Sequence, residues 1–344
     1  MMIEFKSPLY SEFSGELEGL VRYLDYGNEK LARREKELTL QQFHKMHPCC
    51  PAEVMREGLS FLLEKSKIGR VVYPLYELSE CRDDERKKDV RLFAFASEES
   101  QKKPSVIVCA GGGYGYVCNV VEGFPVAMRF ARLGYPVFVL NYRVGRAPAV
   151  PMAMEDLERA VRFVLERGAS FGGNGEYVLC GFSADGNLTT QWGTDNLGYP
   201  AHRLQPPKAL LAIYPAISGA ALFSDLRHRG FLKTMFGENF GEKTKKEYDV
   251  PSHCGTFPPT YMAVGKHDLL ISKKPLEAFR TLSKRRGSRL SSISSRMRRT
   301  GSATALLRAR RAGSAAQTPF LQSSDGLPTN AIHDFAEHKI RRHS

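Results

Sequence analysis

Gly181-Phe182-Ser183-Ala184-Asp185-Gly186 is the stretch on which the reading of this chain turns. An apolar run, Tyr177-Val178-Leu179-Cys180, leads into it, and Asn187-Leu188-Thr189-Thr190-Gln191-Trp192 leads out. The pattern predicts a strand passing into a helix through a turn tight enough to need glycine. A serine there is held clear of the backbone, its hydroxyl above the sheet edge and a helix N-terminus beneath it. This is the G-x-S-x-G nucleophile elbow with one departure, because Asp185 stands at the last glycine position and Gly186 follows it. A bare G-x-S also fits a serine that merely caps a helix, so the surrounding chain has to decide.

Working outward, residues 105–110 read as a short buried strand that ends in Gly111-Gly112-Gly113-Tyr114-Gly115-Tyr116. Residues 122–133 form a helix, 136–142 a strand and 152–167 an amphipathic helix before the elbow strand. Beyond the elbow, 208–214 and 260–264 are two more buried strands, with a helix over 273–285 after the second. Strands alternating with helices of this length imply crossover units and a parallel sheet. Earlier, 70–76 and 89–95 read as an antiparallel pair joined by the charged stretch 82–88. The expected fold class is therefore α/β, a mostly parallel mixed sheet with helices on both faces. Residues 1–69 are an N-terminal helical extension packed on this domain, and 215–257 a long insertion able to cover the site.

Composition narrows the function classes. The chain has 344 residues, 42% of them hydrophobic and 25% charged, which suits a soluble globular domain. No apolar run is long enough to span a bilayer, and the first residues lack the pattern of a signal peptide. Seven scattered cysteines point to a reduced, cytoplasmic setting. The pairing of Cys49-Cys50 with His44 and His47 matches no common zinc spacing. The net charge of +13 would suggest nucleic acid, but residues 287–344 hold ten Lys+Arg against three Asp+Glu. The basic character is mostly a property of that tail, so no nucleic-acid partner and no membrane partner is expected.

A serine attacks an ester only if a base takes its proton and donors receive the oxyanion. The glycines at 111–113 lack both the lysine of a phosphate loop and the spacing of a dinucleotide site. Backbone N–H groups of Gly112 and Gly113, with that of Ala184 at the helix start, are the candidate oxyanion donors. Asp268, just past the strand at 260–264, is placed to orient a histidine. Asp249 and Asp225 are rivals, both within the insertion.

Together these pieces resemble the α/β-hydrolase superfamily, and within it the bacterial acetyl esterase/lipase proteins related to carbohydrate esterases. The resemblance covers roughly 70–286. It is carried by Cys109-Ala110-Gly111-Gly112-Gly113-Tyr114, Asn141-Tyr142-Arg143-Val144-Gly145, the elbow, and Trp192-Gly193-Thr194-Asp195-Asn196-Leu197-Gly198-Tyr199. It implies a serine esterase cleaving small acyl esters, acetyl esters of sugars among them, without metal or organic cofactor. Ser183 would be the nucleophile, Asp268 the acid, and Gly112, Gly113 and Ala184 the oxyanion hole. The substrate would be a small-molecule ester.

The sequence also departs from that family. Ala110 replaces the histidine of the usual H-G-G-G. Asp185 adds a carboxylate two residues from Ser183, and as an anion it would oppose a developing oxyanion. The triad histidine should follow one more strand beyond the acid, yet no histidine lies between Asp268 and Thr329. His333 falls in the atypical tail and His267 adjoins Asp268. From Gly287 the text turns rich in Arg, Ser and Ala without a convincing strand. Two readings of 287–344 stay open: a genuine disordered basic tail, or a shift of reading frame after Arg286. Either leaves the hydrolase domain, 70–286, incomplete at its C-terminal end and its activity impaired. The alternative function is a catalytically inactive relative that serves as a binding or scaffold protein.

Overall fold

In the computed structural model the described residues are 15–27, 39–47, 50–98, 102–215, 217, 229–238, 240–265, 276–277, 279–281 and 290–295. They build one eight-stranded sheet from β1 (Val72–Pro74), β2 (Arg91–Phe95), β3 (Lys103–Cys109), β4 (Val137–Asn141), β5 (Gly173–Phe182), β6 (Ala209–Ile213), β7 (Thr260–Gly265) and β8 (Leu290–Ser295). The spatial order is β1-β2-β4-β3-β5-β6-β7-β8. β1 pairs with β2 and β2 with β4 antiparallel, and every other pair is parallel. This is the mixed α/β sheet expected from the sequence. Its central strands are buried on both faces, which is why they read as unbroken apolar runs.

Register decides where the chemistry can sit. Cys109 on β3 lies opposite Gly181 on β5, and Phe182 lies opposite Ile213 on β6. Three neighbouring strands therefore stop at one level. The residues that follow them, Gly111 to Tyr114, Ser183 and Tyr214, come together on the carboxyl edge of the sheet. That edge, where strands hand over to helices, is where open α/β sheets bind ligands.

The helices are α1 (Leu40–Met46), α2 (Ala52–Ile68), α3 (Phe124–Arg132), α4 (Ala149–Arg167), α5 (Ala184–Trp192), α6 (Arg229–Phe236) and α7 (Glu242–Glu247). A capping box starts α1: Gln42 N–H donates to Thr39 Oγ1 at 3.3 Å, and Thr39 N–H donates to Gln42 Oε1 at 2.7 Å. The N-terminal extension shares the main core, with Leu24, Leu40, Phe43, Met55, Leu59 and Leu62 buried in the same cluster as the sheet. A Cβ at Gly58 would lie 2.7 Å from Pro125 N, so α2 and α3 touch backbone to backbone there. Among the described residues no helix is long and apolar enough to cross a membrane.

One expectation needs correction. The stretch after Gly287 offered no strand, yet Leu290–Ser295 pairs in parallel along the whole of β7, Thr260 opposite Leu290 and Gly265 opposite Ser295. The open edge of β7 presents a row of backbone N–H and C=O groups, and a ladder needs only backbone partners. A serine-rich segment can answer it without the alternating apolar pattern that marks a strand in sequence. The remainder of the tail, 296–344, lies outside the described residues.

At the end of β4 the chain is tied down by a buried ion cluster. Arg143 donates to Asp156 from its backbone N–H at 2.8 Å and from Nη2 at 2.8 Å, and also to Asp84 and Glu155. Tyr76 adds its hydroxyl to Asp156 at 2.6 Å. The side chains of Arg143 and Asp156 are 3% and 0% exposed, so removing one partner strands the other's charge in the core. Arg143→Met is expected to cost about 3–5 kcal/mol. The double change Arg143→Met with Asp156→Leu should cost less, as urea unfolding of the two variants will read.

Candidate active site

Ser183 links β5 directly to α5, with φ 55° and ψ −118°. Such a backbone costs a non-glycine residue roughly 1–3 kcal/mol and persists only where its surroundings demand it. The demand is visible at Gly181, where a Cβ would fall 2.1 Å from Asp185 O and 2.2 Å from Thr189 Oγ1. The helix doubles back over the strand so closely that the connecting residue has no other conformation. Two hydrogen bonds hold it: Ser183 N–H to Ile213 O at 2.9 Å, and Asn187 N–H to Ser183 O at 3.1 Å. Tyr114 and Tyr214 also have positive φ, 57° and 41°. Three of the four described non-glycine residues in that region thus stand at adjacent strand ends around one point.

The loop after β3 presses on the serine. A Cβ on Gly111 would lie 2.8 Å from Phe182 O and 3.1 Å from Ser183 Cβ. At Gly112 it would lie 1.9 Å from Tyr116 O, and Gly113 has φ 65°. Within the loop, Gly112 O accepts from Gly115 N–H, and Gly111 O accepts from Cys118 N–H. Among the described residues the N–H groups of Gly112, Gly113 and Ala184 have no acceptor. The N-terminal extension braces this loop: Val117 N–H donates to Tyr26 O at 2.8 Å and Val120 N–H to Leu24 O at 3.0 Å.

Asp185 differs from what its sequence position suggested. It is wholly buried, with Oδ2 accepting from the Tyr142 hydroxyl at 2.8 Å and Oδ1 lacking a partner among the described residues. Burial pushes its carboxyl well above the usual range, the Tyr142 hydrogen bond opposes that shift, and nearby Glu122 adds to it. Burial thus works against the anion that its sequence position suggested. Beside it the Tyr114 hydroxyl donates to Asn187 Oδ1 at 3.0 Å, which ties the β3 loop to α5.

By sequence pattern alone Glu122 is only the first residue of a helix. It belongs to a wide turn, Asn119–Gly123, that leads into α3, and it is buried beneath the glycine loop. The available signal was one acidic residue inside the apolar run Asn119-Val120-Val121-Glu122-Gly123-Phe124.

Asp268, His267, His333 and Asp225 lie outside the described residues. Asp249 is described and accepts from Ser252 Oγ at 2.6 Å in a short turn after α7. The described histidines are engaged away from Ser183: His44 with Cys50 O, His47 against the Phe43 ring, His202 against the Trp192 ring, and His253 with Lys246 O. Among the described residues no cluster could hold a metal ion. The described part of the insertion is fastened to α5, Tyr248 O accepting from Gln191 Nε2 at 2.7 Å.

The raised pKa of Asp185 has a stability consequence. In the unfolded chain the carboxyl ionises in the ordinary range near about pH 4, whereas the fold keeps it protonated to higher pH. The fold is therefore penalised progressively as pH rises through that window. Asp185→Asn should leave stability nearly unchanged near about pH 4 and increase it towards pH 8, by at most about 1.4 kcal/mol per pH unit. Thermal unfolding of both proteins across that range measures the difference.

Known proteins share this fold. An acetyl ester-xyloside bifunctional hydrolase from Caldicellulosiruptor lactoaceticus superposes over 67% of this chain and 86% of its own, at 25% identity and a TM-score of 0.55. A thermophilic esterase from Thermogutta terrifontis covers 78% of this chain and 93% of its own, with 16% identity and a TM-score of 0.53, a likeness of fold. Endo-1,4-beta-xylanase B of Butyrivibrio fibrisolvens is 30% identical over 158 residues, which are 43% of this chain and 24% of that protein. The chain thus matches only about a quarter of that relative's length. The BD-FAE family model matches residues 93–272, just over half of the chain and every described part of the site. The sheet, its order and that match together place the chain in the BD-FAE family, with an α/β-hydrolase fold.

Proposed function

We propose that this chain is a serine esterase that removes small acyl groups, acetyl foremost, from sugar-linked esters through an acyl-enzyme on Ser183. One observation carries the reading. The backbone of Ser183 is forced to φ 55°, against a loop whose Gly112 and Gly113 N–H groups, like that of Ala184, have no acceptor among the described residues. The acetyl ester activity in the name of the Caldicellulosiruptor hydrolase supports the substrate class. In this reading Ser183 Oγ attacks the acyl carbon, and the oxyanion is received by those N–H groups and the N-terminus of α5. The alcohol leaves with a proton, and water then releases the acid. The chemistry needs no metal or organic cofactor. Asp268 is assigned to orient the base. Six buried cysteines among the described residues support a reducing, cytoplasmic location.

The base limits the rate. A triad lacking its histidine keeps only residual catalysis, roughly 10³–10⁴-fold over water in well-studied proteases. His333 is the rival source of that base. A second reading, an inactive relative that binds its ligand without turnover, is favoured by the sequence, which holds no histidine between Asp268 and Thr329.

Incubation with p-nitrophenyl acetate followed by intact mass separates the two readings. Acetyl-Ser183 should form and accumulate, because release needs the base more than acylation by an activated ester does. Ser183→Ala should form none, and an unmodified chain that stays unlabelled supports the binding reading. A chain read in the alternative frame after Arg286 should gain about 10³-fold or more in kcat/KM. Full activity in the chain as written, lost in His333→Ala, would show that the tail supplies the base.

A further inference from the structure

We propose that Glu122 and Tyr214 form a positioning pair that sets the Gly111–Gly113 loop against Ser183. Glu122 Oε2 accepts the Gly111 N–H at 2.9 Å, and Oε1 accepts the Tyr214 hydroxyl. Both oxygens are thus occupied by donors from different strand ends, β3 and β6. Tyr214 is itself fixed, since its N–H donates to Ala263 O on β7 at 2.6 Å. Gly111 fills the gap between this carboxyl and the serine: a Cβ there would meet Glu122 Oε2 at 2.7 Å and Ser183 Cβ at 3.1 Å. The carboxyl is therefore separated from the candidate nucleophile by the width of one glycine.

The consequence for the loop is geometric. With the Gly111 N–H directed down to Glu122 and its carbonyl receiving Cys118 N–H, the peptide at 111 is held from both sides. The next two N–H groups, Gly112 and Gly113, are left without acceptors inside the loop, which is the condition for receiving a ligand oxygen. Burying an acid costs several kcal/mol unless donors compensate, so a carboxyl in an apolar run requires a reason. Leaving the Gly111 N–H to water is not open to a residue so enclosed. A carboxylate, with two oxygens that only accept, answers the N–H and the phenol together.

Two buried acids lie near each other here, and their surroundings separate them. Asp185 has one donor and a bare oxygen, whereas Glu122 has two donors. Burial keeps the Glu122 carboxyl above its ordinary range, with both hydrogen bonds opposing that shift. Of the pair, Glu122 is the one equipped to carry the charge.

The kinetic part of this inference rests on the serine-esterase reading, and the geometric part does not. The test uses the full chain, with acetylation of Ser183 by p-nitrophenyl acetate and amide hydrogen exchange at 111–113 as parallel readouts. Glu122→Ala should slow acetylation roughly 10- to 100-fold with the ester concentration for half-saturation unchanged, the cost of a misplaced hole rather than weaker binding. Its Gly111 amide, deprived of its acceptor, should exchange faster while those of β4 do not. Glu122→Gln keeps a carbonyl for the Gly111 N–H and should restore most of the rate. Tyr214→Phe, which removes one hydroxyl, should give a smaller loss in the same readouts and serves if Glu122→Ala does not fold. Acetylation and exchange in Glu122→Ala equal to those of the unmodified chain would overturn the proposal. So would a Gln variant as slow as Ala. If the unmodified chain takes no acetyl group, as Ser183→Ala must not, the esterase reading fails and the exchange data alone decide for or against the pair.

Discussion

The close crossing of α5 over β5 at Gly181 is the constraint on which the site depends. With no room for a Cβ within about 2 Å of Asp185 O and Thr189 Oγ1, the chain turns from strand to helix in one residue. Ser183 absorbs the whole of that change in φ and ψ. The strain is offset by the burial of all nine residues of α5 and by two backbone hydrogen bonds at the turn. A second close approach, Gly186 against Ile213 O and Pro215, presses the first turn of the helix onto the end of β6. The glycine that the motif wants one position earlier is thus supplied one position later, and Asp185 is free to point away into the core.

Three of the buried acids, Asp156, Glu122 and Asp185, are compensated in three ways. Asp156 is matched by the Arg143 guanidinium and a phenol. Glu122 is matched by an N–H and a phenol. Asp185 has one phenol and, among the described residues, a bare oxygen, and burial raises its carboxyl the most. The order follows the number of donors within reach, since only donors offset the loss of water around a charge. Tyr142, which holds Asp185, immediately precedes Arg143, so the ion cluster and the elbow are fixed by consecutive residues at the end of β4.

The N-terminal segment shows how a peripheral element can act on the site without touching it. Tyr26 and Leu24 accept backbone N–H groups from Val117 and Val120, and Asn119 Nδ2 donates to Tyr23 O at 2.8 Å. A Cβ on Gly27 would fall 2.5 Å from Val144 Cγ2, so this short stretch is wedged between the glycine loop and the residues after β4. Three hydrogen bonds thus tie it to the segment that continues the glycine loop.

The α/β class, the strands 105–110, 136–142, 208–214 and 260–264, and the elbow were legible in the sequence. A strand buried on both faces must be apolar throughout, and a tight strand-to-helix turn must contain glycine; both are local requirements. The strand β8 was not legible, because a parallel ladder at an edge is satisfied by backbone groups and leaves little mark on a serine-rich text. The protonation of Asp185 was hidden for a different reason: a carboxyl's charge is set by neighbours such as Tyr142, forty-three residues away in the chain. Glu122 was hidden likewise, since Gly111 and Tyr214 reach it only through the register that brings the ends of β3, β5 and β6 to one level. Sequence by itself determined which residues could turn, stay buried or attack. Tertiary structure alone decided which of them meet and with what charge, because desolvation and hydrogen bonding depend on distance in space rather than along the chain.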